Sequence, residues 1–225
     1  MNRHDFLARL PRDAERNLPV AVQVSGPGAL FSRPEFKAER LTYPVMPPSA
    51  AKGVLEAIFW KPEMRYQIAA IEVLAPIRQF TVRRNETHDV APLREAAKGI
   101  RRIDTAATRD QRNAVCLRDV AYRIHALIHT QPHATKPVTA YRDQFQRRVK
   151  RGACFQQPYL GAKEFSADFG PIDADIAPIN RSEDLGIMPH TVAYDGTTHS
   201  WFTAVLDRGV LWIPAQGIPV PAGVV

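Results

Sequence analysis

Residues 119–129 read DVAYRIHALIH, and the fold turns on whether they form a strand or a helix. Val120, Tyr122, Ile124, Ala126 and Ile128 alternate strictly, which calls for a strand and puts Arg123, His125, Leu127 and His129 on its other face. The choice also settles a tempting motif. His125, His129 and His133 fall at i, i+4 and i+8, which on a helix would be a row of metal ligands. On a strand the first two lie about 13 Å apart, too far to share one ion. Pro132 interrupts the run before His133, and no carboxylate cluster or cysteine sits nearby in sequence. No metal site is expected.

Upstream, Val20–Phe31 (VAVQVSGPGALF) begins with period-two alternation and meets Gly26-Pro27-Gly28, as a strand running into a bulge or bend does. After Pro44, Pro47 and Pro48, Ser49 is a candidate N-cap. Ala51, Val54, Leu55 and Ile58 recur at spacings of three and four, so Ser49 to about Trp60 reads as an amphipathic helix stopped by Pro62. Gly53 in its middle hints at a close backbone contact. Arg65–Leu74 and Ile77–Arg84 are rich in β-branched residues and read as strands separated at Pro76. Leu93–Ile103 reads as a short basic helix with Leu93, Ala96, Ala97, Ile100 and Ile103 on one face.

Downstream, residues 141–152 (YRDQFQRRVKRG) form a basic stretch ending at Gly152 as a helix C-cap does. Beyond Gly161 the chain turns acidic and is punctuated by proline and glycine. It finishes with strand-like TVAYDG (191–196) and WFTAVLDRGVLWIP (201–214), in which Asp207-Arg208-Gly209 looks like a hairpin turn. Residues 1–18 read as an extension and a candidate for disorder. There is no Gly-rich phosphate loop, GxSxG nucleophile elbow or internal repeat.

Composition bounds the class. With 225 residues and 45% hydrophobic content the chain can bury a sizeable core. No run approaches the 18 or so apolar residues of a membrane span, and the charged start lacks an apolar leader core. Cys116 and Cys154, two and far apart, make neither a disulfide framework nor a metal knuckle. A cytoplasmic protein with no membrane partner is expected.

The net charge of +7 is unevenly spread. Glu164 to Asp195 holds seven acids and one base, so the surplus of positive charge lies in the first two-thirds of the chain. Of the 30 basic residues only seven are lysine. Arginine presents a planar fork that bridges phosphate oxygens and stacks on bases. The charge therefore points to a polyanion partner, against the alternative of a merely solvated surface. Pattern and composition reach as far as an α+β protein with a βαββ start, one basic face and an acidic later segment.

Four blocks carry a more specific resemblance: GPGALFSRPEFKAERLTYPVMPPSAAKGVLEAIFWKP (26–62), IEVLAPIRQFTVRRNE (71–86), LRDVAYRIHA (117–126) and YLGAKEF (159–165). Together, in this order, they resemble the subtype I-C (Dvulg type) member of the CRISPR-associated Cas family number five, over roughly residues 20–215. The resemblance implies a ferredoxin-like (RRM-like) N-terminal domain, 19–155, and a smaller β-rich C-terminal domain, 156–225, with 1–18 outside it. It implies binding of the precursor CRISPR RNA repeat hairpin and a metal-independent cut leaving a 2′,3′-cyclic phosphate. It also implies retention of the product: the protein stays on the mature guide's 5′ handle, beside the backbone and large subunits of the type I-C surveillance complex. The alternative function is a non-catalytic RNA-binding subunit capping that handle. Double-stranded DNA is a third candidate partner for so basic a surface. No cofactor is expected.

Such a cut requires a group that takes the 2′-hydroxyl proton, one that protonates the leaving oxygen, and a fixed cation. The family's arrangement is a tyrosine at the aromatic position before Trp-Lys-Pro and a Lys-His pair just before the basic helix. Here those positions hold Phe59 and Ala140-Tyr141, so the set does not transfer residue by residue. Tyr141, Lys136 and His133 are close enough in sequence to substitute, and Tyr43 can supply a hydroxyl from elsewhere. Phe59, Lys61, Arg83, Arg84, Arg123, Arg142, Arg147 and Arg148 are the expected RNA contacts. Phe59 is at the position where the family holds a ring near the RNA, the alternative being that Phe59 and Trp60 both pack in the core. Trp60 is expected beneath the chain reversal at Pro62.

Overall fold

A computed structural model describes residues 2–36, 39–87, 92–99, 104, 106–191 and 198–221. In chain order the elements are α1 (Arg3–Arg9), β1 (Val20–Ala29), β2 (Arg40–Leu41), α2 (Pro48–Ile58), β3 (Met64–Val73), β4 (Gln79–Thr87) and α3 (Leu93–Ala97). They continue with β5 (Arg109–Thr130), α4 (Val138–Arg151), β6 (Asp168–Gly170), β7 (Glu183–Thr191), β8 (Thr198–Asp207), β9 (Val210–Trp212) and β10 (Ile218–Pro221).

The alternating stretch is the centre of the molecule. It lies in β5, a strand of 22 residues. β5 pairs antiparallel with β1, β3 and β4 and parallel with the short β2. The sheet runs β10-β8-β9-β3-β5-β1-β6, with β7 added beside β8. Asp119 divides β5 at φ 49°, a left-handed conformation that aspartate tolerates better than most side chains. Beyond Leu117, toward the N-terminus, β5 leaves β1 and continues paired with β4 and, at Ala114 and Val115, with β2. The C-terminal half of β5 is buried on both faces, so apolar residues occur on each, with Arg123 and His125 among them on the second face.

One face of the sheet holds the main core. Tyr122, Ile124, Ala126 and Ile128 pack there with Val22 and Val24 of β1 and with the inner faces of α2 and α4. On α4 that inner face is Val138, Tyr141, Phe145 and Val149, at helical spacing, while the arginines turn outward. Gly152 ends α4 at φ 64°, as its sequence position predicts. The predicted helix over 49–60 is also present, although it begins at Pro48. Pro47 occupies the N-cap without a side-chain hydrogen bond, so Ser49 lies inside the first turn rather than capping it. Nothing comes within 4 Å of a methyl placed on Gly53, so the expected close backbone contact is absent.

The second face is covered too. α1 lays Phe6 and Leu10 on Ala69, Ala70 and Val210, so this part of the N-terminal extension is an ordered helix against the sheet. Beneath it Arg123 and His125, at 5% and 4% exposure, share Glu72 of β3. The Gly26-Pro27-Gly28 segment stays in register with β5, so the expected bulge does not form there. The glycines instead admit Leu160 and Phe165, which would clash with a side chain at either position. α3 is shorter than expected and exposed throughout, Leu93 included at 88%; residues 100–103 of the expected helix lie outside the described residues. Of the expected TVAYDG strand, Thr191 ends β7 and 192–196 lie outside the described residues. The Asp207-Arg208-Gly209 turn is a hairpin joining β8 to β9, with φ of 48° and 78° at Arg208 and Gly209, as a type I′ turn requires.

Candidate nucleic-acid interface

The C-terminal end of α2 gathers several of the predicted residues. Its last turn gives way at Phe59, which adopts extended backbone (φ −155°, ψ 124°). Extended geometry sends consecutive side chains to opposite sides. Phe59 turns inward, 4% exposed, beneath the Arg148 guanidinium 5.5 Å from its ring centroid. Trp60 turns outward and is 49% exposed. The assignment made from sequence is thus reversed: Phe59 is core and its ring is covered, while Trp60 is the ring held out. The Phe59 carbonyl accepts a 2.7 Å hydrogen bond from the Tyr66 hydroxyl, which fixes the turn.

After Lys61 and Pro62, both exposed, Glu63 stands at the start of β3. Its carbonyl accepts from the Gln131 amide, tying the 61–63 turn to the 131–137 turn that leads into α4. His133 and Lys136 are exposed on that second turn. Tyr141, in the first turns of α4, is only 3% exposed; its ring belongs to the core and its hydroxyl donates to Glu63 Oε2 at 3.3 Å. Burial, then the Glu63 carboxylate, holds the Tyr141 pKa above the ordinary tyrosine value, with the Lys136 backbone amide acting the other way. At neutral pH Tyr141 is therefore a hydroxyl donor rather than a base. The fold brings Lys61, Glu63, His133, Lys136 and Tyr141 to one surface around these two turns.

Tyr43 is not part of this surface. It precedes α2 and lines a cavity with Ser49, Ala50 and Gly53 of the first half of that helix, whereas this surface forms at the helix's other end. Its ring is buried beside Arg33, and burial followed by Glu35 pushes its pKa up to about 12.

The predicted arginines divide by environment. Arg83 on β4 and Arg147 on α4 are exposed, and Arg147 donates to Gln144. Arg84 projects to the opposite side of β4 from Arg83 and pairs with Glu164. Arg148 Nη1 donates to the Ile58 carbonyl at 2.9 Å, so this arginine closes the end of α2. Arg142 faces Asp13 at 3.9 Å with its side chain 12% exposed. Arg123 is buried, bonded to Glu72 at 2.8 Å and to the carbonyls of Asp173 and Ile176. Arg123 thus holds the protein together, a correction to its expected role, while Arg142 and Arg148 are half-buried and each engages the fold through one nitrogen. Charge marks a residue as cationic but does not tell whether its partner is a phosphate or a neighbouring carbonyl.

The histidines of β5 have partners of their own. His125 Nε2 meets Glu72 Oε1 at 2.6 Å and His129 Nε2 meets Gln67 Oε1 at 2.6 Å. Among the described residues no cluster of three or more His, Cys, Asp or Glu could hold a metal, and no helix is long and apolar enough to cross a membrane.

Comparison with known proteins fits this frame. The family model Cas_Cas5d, described as CRISPR-associated protein (Cas_Cas5), matches residues 20–216. A protein of Thermus thermophilus named CRISPR pre-crRNA endoribonuclease Cas5d is 44% identical over 175 residues, 78% of this chain and 73% of the relative. The chain belongs to the Cas5d family. A second relative of the same name, from Mannheimia succiniciproducens, is 38% identical over 212 residues, 87% of this chain and 94% of the relative. A crystal structure of a CRISPR-associated protein shares the fold of this chain with a TM-score of 0.64 at 20% identity, covering 88% of this chain and 92% of the other. The helix α1 precedes the region matched to Cas5d.

Sequence reading missed Glu63 and the exposure of Trp60. Glu63 and Tyr141 meet across 78 positions of sequence, which no local pattern records.

Proposed function

We propose that this protein is a pre-crRNA endoribonuclease that cuts the repeat hairpin by metal-independent attack of a 2′-hydroxyl. It then stays on the 5′ handle of the guide as a subunit of the type I-C surveillance complex, in the cytoplasm. The observation that carries this reading is that two relatives, 44% and 38% identical over most of the chain, are named for that activity. The strand order β6-β1-β5-β3, with α2 and α4 on one face, supports a ferredoxin-like unit whose last strand, β6 (Asp168–Gly170), lies past the expected boundary at 155. In this reading the strands after β6 make the smaller β-rich domain.

In this reading the reacting phosphate lies over the surface around Glu63 and Tyr141. Tyr141 donates a hydrogen bond to the phosphoryl oxygens, where negative charge builds, His133 is the proton-transfer group, and Lys136 and Lys61 supply fixed positive charge. Tyr43, at the far end of α2, takes no part in the reaction. Arg83, Arg84 and Arg147 hold the phosphates of the stem.

One observation favours a second reading. The Tyr141 ring is buried and its hydroxyl already serves Glu63. A non-catalytic subunit that caps the handle would need nothing more of it.

A labelled repeat hairpin incubated with the protein in EDTA separates the two. The nuclease reading expects cutting that survives EDTA, disappears when the nucleotide at the cut carries a 2′-deoxy sugar, and slows about 100-fold in Tyr141→Phe. A hairpin bound tightly but never cut would leave the capping subunit. Double-stranded DNA, offered in the same binding assay, should compete poorly with the hairpin if RNA is the partner.

A further inference from the structure

We propose that Trp60 and Phe155 form a two-ring platform that stacks an unpaired nucleotide flanking the repeat hairpin and so positions the RNA at the Glu63–Tyr141 surface. This rests on the endoribonuclease reading above and extends it to the part of the substrate that is not a stem.

Both rings are large apolar surfaces left in water: Trp60 is 49% exposed and Phe155 81%. Their backbones are held at one place, the end of α2, although they are far apart in sequence. The amides of Phe155 and Gln156 both donate to the Ala57 carbonyl, at 2.9 and 3.1 Å, and Ala57 lies one helical turn before Trp60. Arg148 donates to the next carbonyl, that of Ile58. These two carbonyls at the end of α2 are thus satisfied by α4 and the segment that follows it, and this stitching fixes the backbone beside both rings. A ring on a fixed backbone loses little entropy when a base stacks on it.

The surroundings select the occupant. Lys61, Arg147, Lys150 and Arg151 are exposed on the adjoining turn and on the last turns of α4, with Asp143 the exposed acid on that helix. Two rings among cations match a nucleotide, which offers a π-face and a phosphate together. A protein-docking face would instead surround its aromatic anchors with further apolar side chains and deplete charge at its centre. A base within a stem already has both faces stacked on its neighbours, so only an unpaired nucleotide can use the platform. Trp60 is three residues from Glu63, so a nucleotide held there adjoins the surface assigned to the cut.

The test compares binding and single-turnover cleavage, in EDTA, of two hairpins: one with its unpaired flanks and one trimmed to the stem-loop. Trp60→Leu and Phe155→Leu should each weaken the flanked hairpin by about 5- to 150-fold, the range for losing one base–ring stack. They should leave the trimmed hairpin within about twofold, and Trp60→Phe should recover most of the loss. Thermal melting of each variant within a few degrees of the wild type separates lost stacking from lost folding.

Unchanged affinity in both leucine variants, or equal losses on both RNAs, would overturn the platform while leaving the nuclease reading intact. The first of these outcomes would make the rings a protein-docking face. Wild-type protein that binds neither hairpin would remove the nuclease reading and the platform with it.

Discussion

Glu72 shows how one carboxylate can organise a buried face. It takes Arg123 on one oxygen and His125 on the other, and Arg123 passes the restraint to the carbonyls of Asp173 and Ile176. Burial alone would raise the Glu72 pKa. The His125 hydrogen bond and charge, followed by Arg123, outweigh it and hold the carboxyl below its ordinary value. The network therefore stabilises the fold above the ordinary carboxylate pKa of 4.5, and that contribution is lost as pH falls below it. Glu72→Gln leaves a buried guanidinium without its counter-charge and should cost about 3–5 kcal/mol at neutral pH. Urea denaturation at pH 7 and at pH 3.5 measures both effects. The gap between variant and wild type should narrow at the lower pH, and a variant as stable as the wild type at pH 7 would show that the pairing contributes nothing.

At the scale of elements, backbone geometry decides what the side chains can do. The β8–β9 hairpin needs a left-handed residue at Gly209, and a methyl added there would lie 2.2 Å from the Ile179 carbonyl oxygen. Gly209→Ala should therefore destabilise the protein by more than about 1 kcal/mol, measured by thermal melting, because the substitution meets both strain and a clash with backbone. The same logic explains what was legible in advance. The alternation of Val120 to Ile128, the spacing in 141–152 and the Asp207-Arg208-Gly209 turn are local patterns, and each formed the element it predicts. The expected roles of Phe59 beside the RNA and of Trp60 beneath Pro62 are not local patterns of this kind. The chain leaves the helix at Phe59, and that departure is secured by Tyr66 and Arg148, both remote in sequence. Arg123 was read as facing a ligand because β5 has two faces and only one was needed for the core. Its second face is covered by α1 and by the 172–178 segment, which no period in β5 announces.

At the scale of the whole molecule, the charge surplus is smaller in effect than in count. With Arg123, Arg142 and Arg148 engaged with the fold, the exposed cations near the proposed site include Lys61, Lys136, Arg147, Lys150 and Arg151. Contact by these five with phosphates gives a log–log salt slope between about −3.5 and −4.5. Titrating hairpin binding against potassium chloride measures it, and a slope near zero would remove the polyanion reading altogether.

The sharing of β5 among β1, β3 and β4 also constrains how the chain is made. None of those three pairs with another of them, so each waits for β5 before it has a neighbour on that side. Synthesis proceeds from the end of β1 at Ala29 to the end of β5 at Thr130, which at 5–20 residues per second takes roughly 5–20 s. Throughout that interval β1 and β3 emerge from the ribosome as apolar strands with open edges. The nascent chain is therefore most exposed to aggregation, and most in need of a chaperone, during the first half of its own translation.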